Sequence, residues 1–72
     1  MNVEKAIVLV LTDGENYGMG IKAAIEDMGE TPYLSNIYTA LYRMKKQGLV
    51  TSRIGEATNH GGNRRRYYKL IK

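Results

Sequence analysis

Three amphipathic segments followed by two strand-like segments predict an α+β fold in which three helices precede a β-hairpin. In the helical segments, apolar residues recur at spacings of three and four, so they line one face of a helix. A chain of 72 residues has room for one domain only, residues 1–72. We therefore expect a single winged helix-turn-helix in which the hairpin is the wing.

The first predicted helix covers residues 2–12 and ends before Asp13 and Gly14. One face of this helix carries four apolar residues: Val3, Ile7, Val10 and Leu11. Val8 and Leu9 fall outside that stripe, so a core on one side of the helix cannot bury them as well. We expect Val8 and Leu9 to be contacts of a homodimer, with a further segment of the protein as the alternative cover.

The second predicted helix covers residues 17–28, with Asn16 as its expected N-cap and Gly29 at its end. Gly18 and Gly20 lie inside this helix, where each glycine costs about 1 kcal/mol relative to alanine. Their presence predicts close backbone packing against a neighbouring helix.

The third predicted helix covers residues 36–47, with Ser35 as its expected N-cap. Its inward stripe consists of Ile37, Ala40, Leu41 and Met44. The rest of its surface is polar, aromatic and basic: Ser35, Asn36, Thr39, Tyr42, Arg43 and Lys46, with Tyr38 and Lys45 on one flank. Beyond Gly48, residues 49–54 and 64–71 resemble strands, and residues 55–66 form the predicted wing.

The two halves of the chain carry opposite charge. Residues 1–32 hold six carboxylates against Lys5 and Lys22, a net charge of −4, whereas residues 33–72 hold nine lysines and arginines against Glu56, a net charge of +8. A concentrated basic region favours a polyanion, because counterions displaced from its phosphates stabilise the complex. The pattern indicates a nucleic acid as partner, with a solvated basic surface as the alternative.

A basic helix followed by an arginine-rich hairpin suits double-stranded DNA, because a helix fits the major groove and a wing can follow the backbone or the minor groove. On this interpretation, Asn36 pairs with adenine, Thr39 contacts a thymine methyl group, and Arg43 reaches guanine or a phosphate. Ser35 and the first amides of the helix suit a phosphate oxygen. The expected DNA-binding residues are Ser35, Asn36, Tyr38, Thr39, Tyr42, Arg43, Lys46, His60, Asn63, Arg64 and Arg65.

Some of these residues have structural alternatives. Asn36 can assist only in capping, Tyr38 can pack at a helix or subunit contact, and His60 can be an ordinary loop residue. Tyr67 and Tyr68 are adjacent, so on a strand they point to opposite faces and at least one is expected in the core.

The composition argues against catalysis, metal binding and membrane insertion. The chain has no cysteine and one histidine, so the usual ligands of a structural zinc ion are missing. Its seven carboxylates form no catalytic motif, and no glycine loop for phosphates is present. The longest apolar run, residues 6–11, is far shorter than the about 20 residues that span a bilayer. We expect a cytoplasmic, nucleoid-associated protein that is not an enzyme, has no cofactor and shows no evident small-molecule effector.

Three motifs resemble the PadR family of winged-helix transcriptional regulators. Residues 36–44 read N-I-Y-T-A-L-Y-R-M and lead to Q-G-L-V at 47–50, where the family has T-L-Y-P-A-L-x-R-L and then E-G-L-I. Residues 65–70 read R-R-Y-Y-K-L, close to the family's R-R-Y-Y-R-L. A weaker match to G-P-L-H-G-Y-E-I consists of Gly14, Tyr17, Gly18 and Ile21.

The resemblance implies a winged helix that binds DNA, and it does not imply effector sensing. Thr39 stands where the family has proline, and Met19 and Gly20 replace its tyrosine and glutamate. Members of the family normally continue past the wing into C-terminal helices that form the dimer, whereas this sequence stops at Lys72.

The sequence therefore predicts a sequence-specific DNA-binding regulator, a repressor, that reads the major groove with residues 36–47 and contacts the backbone or minor groove with residues 55–66. One alternative is a winged-helix module that binds a protein partner as the antagonist of another regulator. A second alternative is an architectural or segregation protein that binds DNA with little sequence preference. The ratio of specific to non-specific affinity and its dependence on salt distinguish the three.

Overall fold

The computed structural model describes residues 2–57 and 64–71 of the chain, apart from the side chains of Glu56, Ala57 and Arg64. Its elements, in chain order, are α1 Val3–Thr12, β1 Asn16–Tyr17, α2 Gly18–Asp27, α3 Leu34–Lys46, β2 Val50–Ala57 and β3 Arg64–Leu70. The strands form one antiparallel sheet in the order β1-β3-β2. The predicted α+β winged helix-turn-helix is confirmed, and its sheet has one strand more than the predicted hairpin.

The additional strand β1 lies where the sequence indicated a helix cap. Asn16 pairs with Tyr68 and Tyr17 pairs with Tyr67, so the chain joins the edge of β3 just before α2 begins. The prediction that Asn16 caps α2 was wrong: its side-chain oxygen accepts a hydrogen bond from the Tyr17 amide at 2.8 Å, and Tyr17 occupies the N-cap position without a side-chain cap. Strand pairing therefore fixes the start of α2.

Glycine ends α2 and α3 as predicted. Gly29 and Gly48 have φ angles of +89° and +77°, a left-handed conformation that residues with a Cβ rarely adopt. In each case the following residue turns its amide back onto the helix: Leu49 donates to the Met44 carbonyl at 2.9 Å, and Glu30 donates to the Ile25 carbonyl at 3.4 Å. These turns lead α2 towards α3 and α3 towards β2.

The core is a single apolar cluster between the three helices and the inner face of the sheet. Twelve side chains form it: Ala6, Ile7, Val10, Leu11, Ile21, Ile25, Ile37, Ala40, Leu41, Met44, Val50 and Tyr68. The predicted stripes of α1 and α3 supply most of these residues. No polar or charged side chain of the described residues is buried among them, so burial of apolar surface is the main stabilising contribution.

Leu41→Ala is expected to lower the free energy of unfolding by about 2 to 5 kcal/mol, because Leu41 is fully buried and its neighbours can only partly fill the cavity. Urea denaturation followed by circular dichroism measures the change. Tyr42→Ala is the control one position along the helix, where the side chain is 66% exposed. Equal losses for the two variants would contradict the placement of the core.

Candidate nucleic-acid interface

The residues of α3 that were predicted to bind DNA all lie on the solvent-exposed side of the helix. Ile37, Ala40, Leu41 and Met44 are buried. The assigned residues on this helix are exposed: Ser35, Asn36, Tyr38, Thr39, Tyr42, Arg43 and Lys46. This separation follows from the helical period, because burial of one stripe turns the remaining positions outwards.

The start of α3 differs from the prediction by two residues. The helix begins at Leu34 with Tyr33 at the N-cap, and no side chain caps it. Ser35 is therefore a residue of the first turn and not the predicted cap. Its carbonyl accepts a hydrogen bond from the Thr39 hydroxyl at 2.9 Å. Ser35 is exposed, and the first amides of the helix have no side-chain cap.

One flank of α3 faces α1. Arg43 donates to a Glu4 carboxylate oxygen at 3.2 Å. Asn36 lies at the other end of this flank, beside a cavity of about 160 Å³ that is also lined by Val3 and Ala6. Both residues remain exposed, but α1 restrains Arg43 in a way that the helical wheel could not show.

The opposite flank of α3 faces the sheet and carries residues outside the predicted site. The Lys45 ammonium donates to the Ser52 hydroxyl of β2 at 2.8 Å. Tyr38 lies against Gly18, where a Cβ atom would collide with the phenol ring and hydroxyl. Gly18 is therefore required by this contact with α3, in agreement with the predicted packing against a neighbouring helix, whereas a Cβ atom at Gly20 would meet Asn16 and Tyr17 of β1.

Lys45 and Arg66 complete the basic flank of α3, and the predicted site contained neither of them. Lys45 is seven residues beyond Tyr38 and so lies on the same face of the helix. Arg66 alternates with Tyr68 on β3 and reaches the same recess as Tyr38. The spacing pointed to Lys45, whereas the position of Arg66 depends on how the sheet packs against the helix.

An aromatic and a basic side chain pair on the exposed side of the C-terminal half of α3. Tyr42 is 66% exposed, and the Lys46 ammonium lies 5.2 Å from the centre of its ring. This distance is within the range of a cation–π contact. The pair places a positive charge on the exposed face of the helix.

The outer face of the sheet carries alternating cations and aromatic rings. The Arg65 guanidinium lies 4.4 Å above the ring of Tyr17, and that ring meets Tyr67 edge to face with centroids 5.8 Å apart. Arg53 lies 5.0 Å above Tyr67 and donates two hydrogen bonds, of 2.8 and 2.6 Å, to the carboxylate of Glu15. This stack joins all three strands.

The remaining predicted wing residues are only partly described. Arg64 begins β3, paired with Ala57 across the hairpin. His60 and Asn63 lie outside the described residues, so their predicted contacts with DNA stay predictions.

The hydrogen bonds from Arg53 hold the pKa of the Glu15 carboxyl below its usual range, with the charges of Arg53 and Lys69 acting in the same direction. The carboxylate is thus ionised and paired at neutral pH. Among residues 2–57 and 64–71 no cluster of three or more acidic or histidine side chains could hold a metal ion. Within the same described part, no helix is both long and apolar enough to cross a membrane.

These features define the class of protein. A winged-helix regulator has three helices, one of them basic and exposed, and a wing, which here carries a cation–aromatic stack. A family model described as the transcriptional regulator PadR-like family matches residues 7–72. The chain belongs to this family. The predictions that it resembles PadR proteins and that it is a regulator and not an enzyme are thereby confirmed.

Solved structures show the same fold. A PadR family transcription regulator from Clostridium difficile is 30% identical, with a TM-score of 0.85 over 97% of this chain and 72% of that one. A transcriptional regulator from Clostridium thermocellum is 29% identical, with a TM-score of 0.83 over 96% of this chain and 65% of that one. Bacillus subtilis PadR, solved in complex with operator DNA, is 23% identical, with a TM-score of 0.84 over 97% of this chain and 40% of that one.

In each comparison, the match covers a larger share of this chain than of the relative. This chain is covered almost entirely, but it spans only 65% of the Clostridium thermocellum regulator. A search of curated protein sequences found no match.

Arg53→Gln is expected to raise the pKa of Glu15 towards its ordinary value of about 4.3, because the variant removes the charge and the paired hydrogen bonds. A carboxylate with a lowered folded-state pKa stabilises the fold above its unfolded-state pKa, and this stabilisation is lost as the pH falls through the folded-state value. The variant should therefore lose less stability than the wild type on acidification below about pH 4.3.

Carboxyl titration by NMR, with melting temperatures measured across the same pH range, checks this prediction. Lys22→Gln is the control, since it breaks an exposed ion pair with Glu26 on α2, away from Glu15. An unchanged Glu15 pKa in Arg53→Gln would contradict the pairing.

Proposed function

We propose that this chain binds double-stranded DNA as a sequence-specific transcriptional regulator that acts as a repressor. The observation that carries the proposal is the exposed polar, aromatic and basic face of α3, beside a sheet whose central strand β3 begins with three arginines. A helix of this kind fits the major groove, with the wing on the adjacent backbone. The structure of Bacillus subtilis PadR with operator DNA supports the same role for this fold.

Within α3, we assign the reading of bases to its first turn and to the flank near α1. Asn36 is exposed there and can pair with adenine, and Thr39 lies one turn further on. Arg43 is bound to Glu4, but both partners are partly exposed, with side-chain exposures of 58% and 32%. An exposed ion pair contributes only about 0 to 1 kcal/mol, so Arg43 can exchange the carboxylate for guanine or a phosphate.

The wing supplies contacts to the backbone or the minor groove. The Arg65 guanidinium lies over the Tyr17 ring, 4.4 Å from its centre, and this cation–π contact leaves the N–H donors of the guanidinium available. Arg65 therefore keeps donors for a phosphate while the ring fixes its position. We assign Arg64, His60 and Asn63 to the same wing contact from the sequence.

Repression is the mode of action that requires the fewest contacts beyond those with DNA. A protein bound at a promoter excludes polymerase by occupying the DNA, and no contact with polymerase is needed.

The charge of α2 supports the proposed orientation on DNA. The acidic surface of α2, with Glu26 and Asp27 exposed, would be turned away from the DNA.

Selection from random-sequence duplexes, followed by measurement of affinity at several salt concentrations, tests the proposal. Engagement of about four to six phosphates per subunit predicts a slope of log affinity against log salt of roughly −4 to −5. Arg65→Ala should flatten this slope by about 1 with base preference retained. Arg43→Ala should cost about 1 to 3 kcal/mol on the selected site and much less on random DNA.

The outcomes separate the possible functions. Lys22→Ala, on the side of α2, is the charge-matched control and should bind like the wild type. Tight binding without sequence preference would indicate an architectural protein. A slope near zero would contradict DNA binding and would favour a module that binds protein partners.

We further propose a homodimer that is joined through α1. Val8 and Leu9 are 37% and 50% exposed, and Leu49, after α3, is 47% exposed beside them. They line an open apolar recess of about 370 Å³ whose floor includes Met44. A single recognition helix reads few base pairs, and a symmetric pair would read two half-sites about one helical turn apart.

Leu9→Glu is expected to convert this dimer into a folded monomer with weaker DNA binding. Removing Val8 or Leu9 from water contributes about 1.5 to 3 kcal/mol for each side chain that becomes fully buried, and a carboxylate in the contact would oppose it. Analytical ultracentrifugation at micromolar concentration measures the change. Met28→Glu, at an apolar side chain of similar exposure on α2, is the control, and a wild type that stays monomeric on DNA would contradict the proposal.

A further inference from the structure

A groove lies where the start of α2, the flank of α3 and strand β3 meet. It measures about 580 Å³ and is lined by Tyr17, Gly18, Met19, Tyr38, Arg65, Arg66 and Tyr68. It continues into a recess of about 260 Å³ along α3 towards Lys45 and Ser52. Tyr38, Arg66 and Tyr68 line both parts, so they form the wall where the helix and the wing come closest.

The hydroxyl of Tyr68 is the group in this groove that points most directly to a ligand. The residue is only 8% exposed, and its hydroxyl forms no hydrogen bond with another described residue. No side-chain nitrogen or oxygen sealed from solvent in the described part lacks a hydrogen-bond partner, so this hydroxyl opens into the groove that the residue lines. Burial raises the pKa of the Tyr68 phenol, and a protonated phenol can donate a hydrogen bond.

The first turn of α2 contributes donors to the same groove. No side chain caps this helix, because Asn16 bonds to the Tyr17 amide instead. The first amides of an α-helix have no partner within the helix, and the helix dipole makes this end partly positive. Gly18 has no side chain to cover them, and the Tyr38 hydroxyl lies against it.

We propose that this groove binds one phosphate of the DNA backbone through the Tyr68 and Tyr38 hydroxyls, the Arg66 guanidinium and the first amides of α2. The inference rests on the proposed DNA binding, and it adds Tyr68, Arg66 and the first amides of α2 to Tyr38, the one member of this site that was among the predicted DNA-binding residues. A phenol hydroxyl that opens into the groove without a partner among the described residues, a cation and a helix N-terminus together match the chemistry of a phosphate oxygen. One phosphate held there would contact α2, α3 and β3 at once and would fix the recognition helix and the wing in one register.

The first experiment compares two variants with controls on the opposite face of the same strand. Tyr68→Phe keeps the buried ring and removes only the hydroxyl, and it is expected to weaken binding to the selected duplex about tenfold. Arg66→Gln is expected to flatten the salt dependence by about one unit of slope. Tyr67→Phe and Lys69→Gln are the matched controls and should bind like the wild type, with melting temperatures showing that all four variants fold.

The second experiment identifies the phosphate. Methylphosphonate linkages, which lack the negative charge, replace the phosphates of the duplex one at a time. In the wild type, one position in each half-site should weaken binding, and the same position should cause no further loss in Tyr68→Phe. Equal further losses at every position would overturn the proposal.

Free phosphate is the other possible source of the anion. NMR titrations with the duplex and with inorganic phosphate, at matched ionic strength, follow the amides of Gly18 and Met19. Shifts with DNA at much lower concentration than with phosphate support the proposal, and shifts with phosphate alone overturn it. A wild type that binds DNA specifically while Tyr68→Phe and Arg66→Gln behave like their controls overturns only this site, whereas a wild type that binds no duplex overturns the proposed function as well.

Discussion

Burial of one stripe of α3 is the constraint on which the rest of the structure depends. Ile37, Leu41 and Met44 are completely removed from solvent, and α1, α2 and the sheet all pack against the helix that carries them. Without disulfides, a domain of this size depends on such a core. Because the inward stripe is fixed, the outward face of α3 is fixed too, and stability and recognition share one helix.

The sheet ties the wing to this core from both sides. On the inner face, Tyr68 enters the apolar cluster, and on the outer face its neighbour Tyr67 lies between Tyr17 and Arg53. Strand β1 makes this possible, because it brings Tyr17 to the edge of β3 immediately before α2. A shift of the wing would therefore disturb α2 as well, so the base of the wing and the helices form one unit.

The long periodic segments were predictable from sequence, whereas features set by tertiary contacts were not. The stripes of α1 and α3 and the glycine ends of α2 and α3 follow from local patterns. Strand β1 has two residues, too few for any periodicity, and its pairing overrides the capping preference of Asn16. The helical spacing pointed to Lys45, whereas Arg66 enters the site only because the sheet packs against one flank of α3, a relation between segments about 20 residues apart.

The acidic and basic halves of the chain do more than orient the protein towards DNA, because some of their charges pair with each other. Glu4 and Glu15, from the acidic half, bind Arg43 and Arg53 from the basic half. These cations are partly neutralised before any DNA arrives, and Arg43 must release a carboxylate to reach a phosphate. Exchange of one anion for another releases fewer counterions than a new ion pair does. The salt dependence of binding should therefore reflect the cations that no carboxylate holds, and it should fall short of what the charge of the basic half suggests.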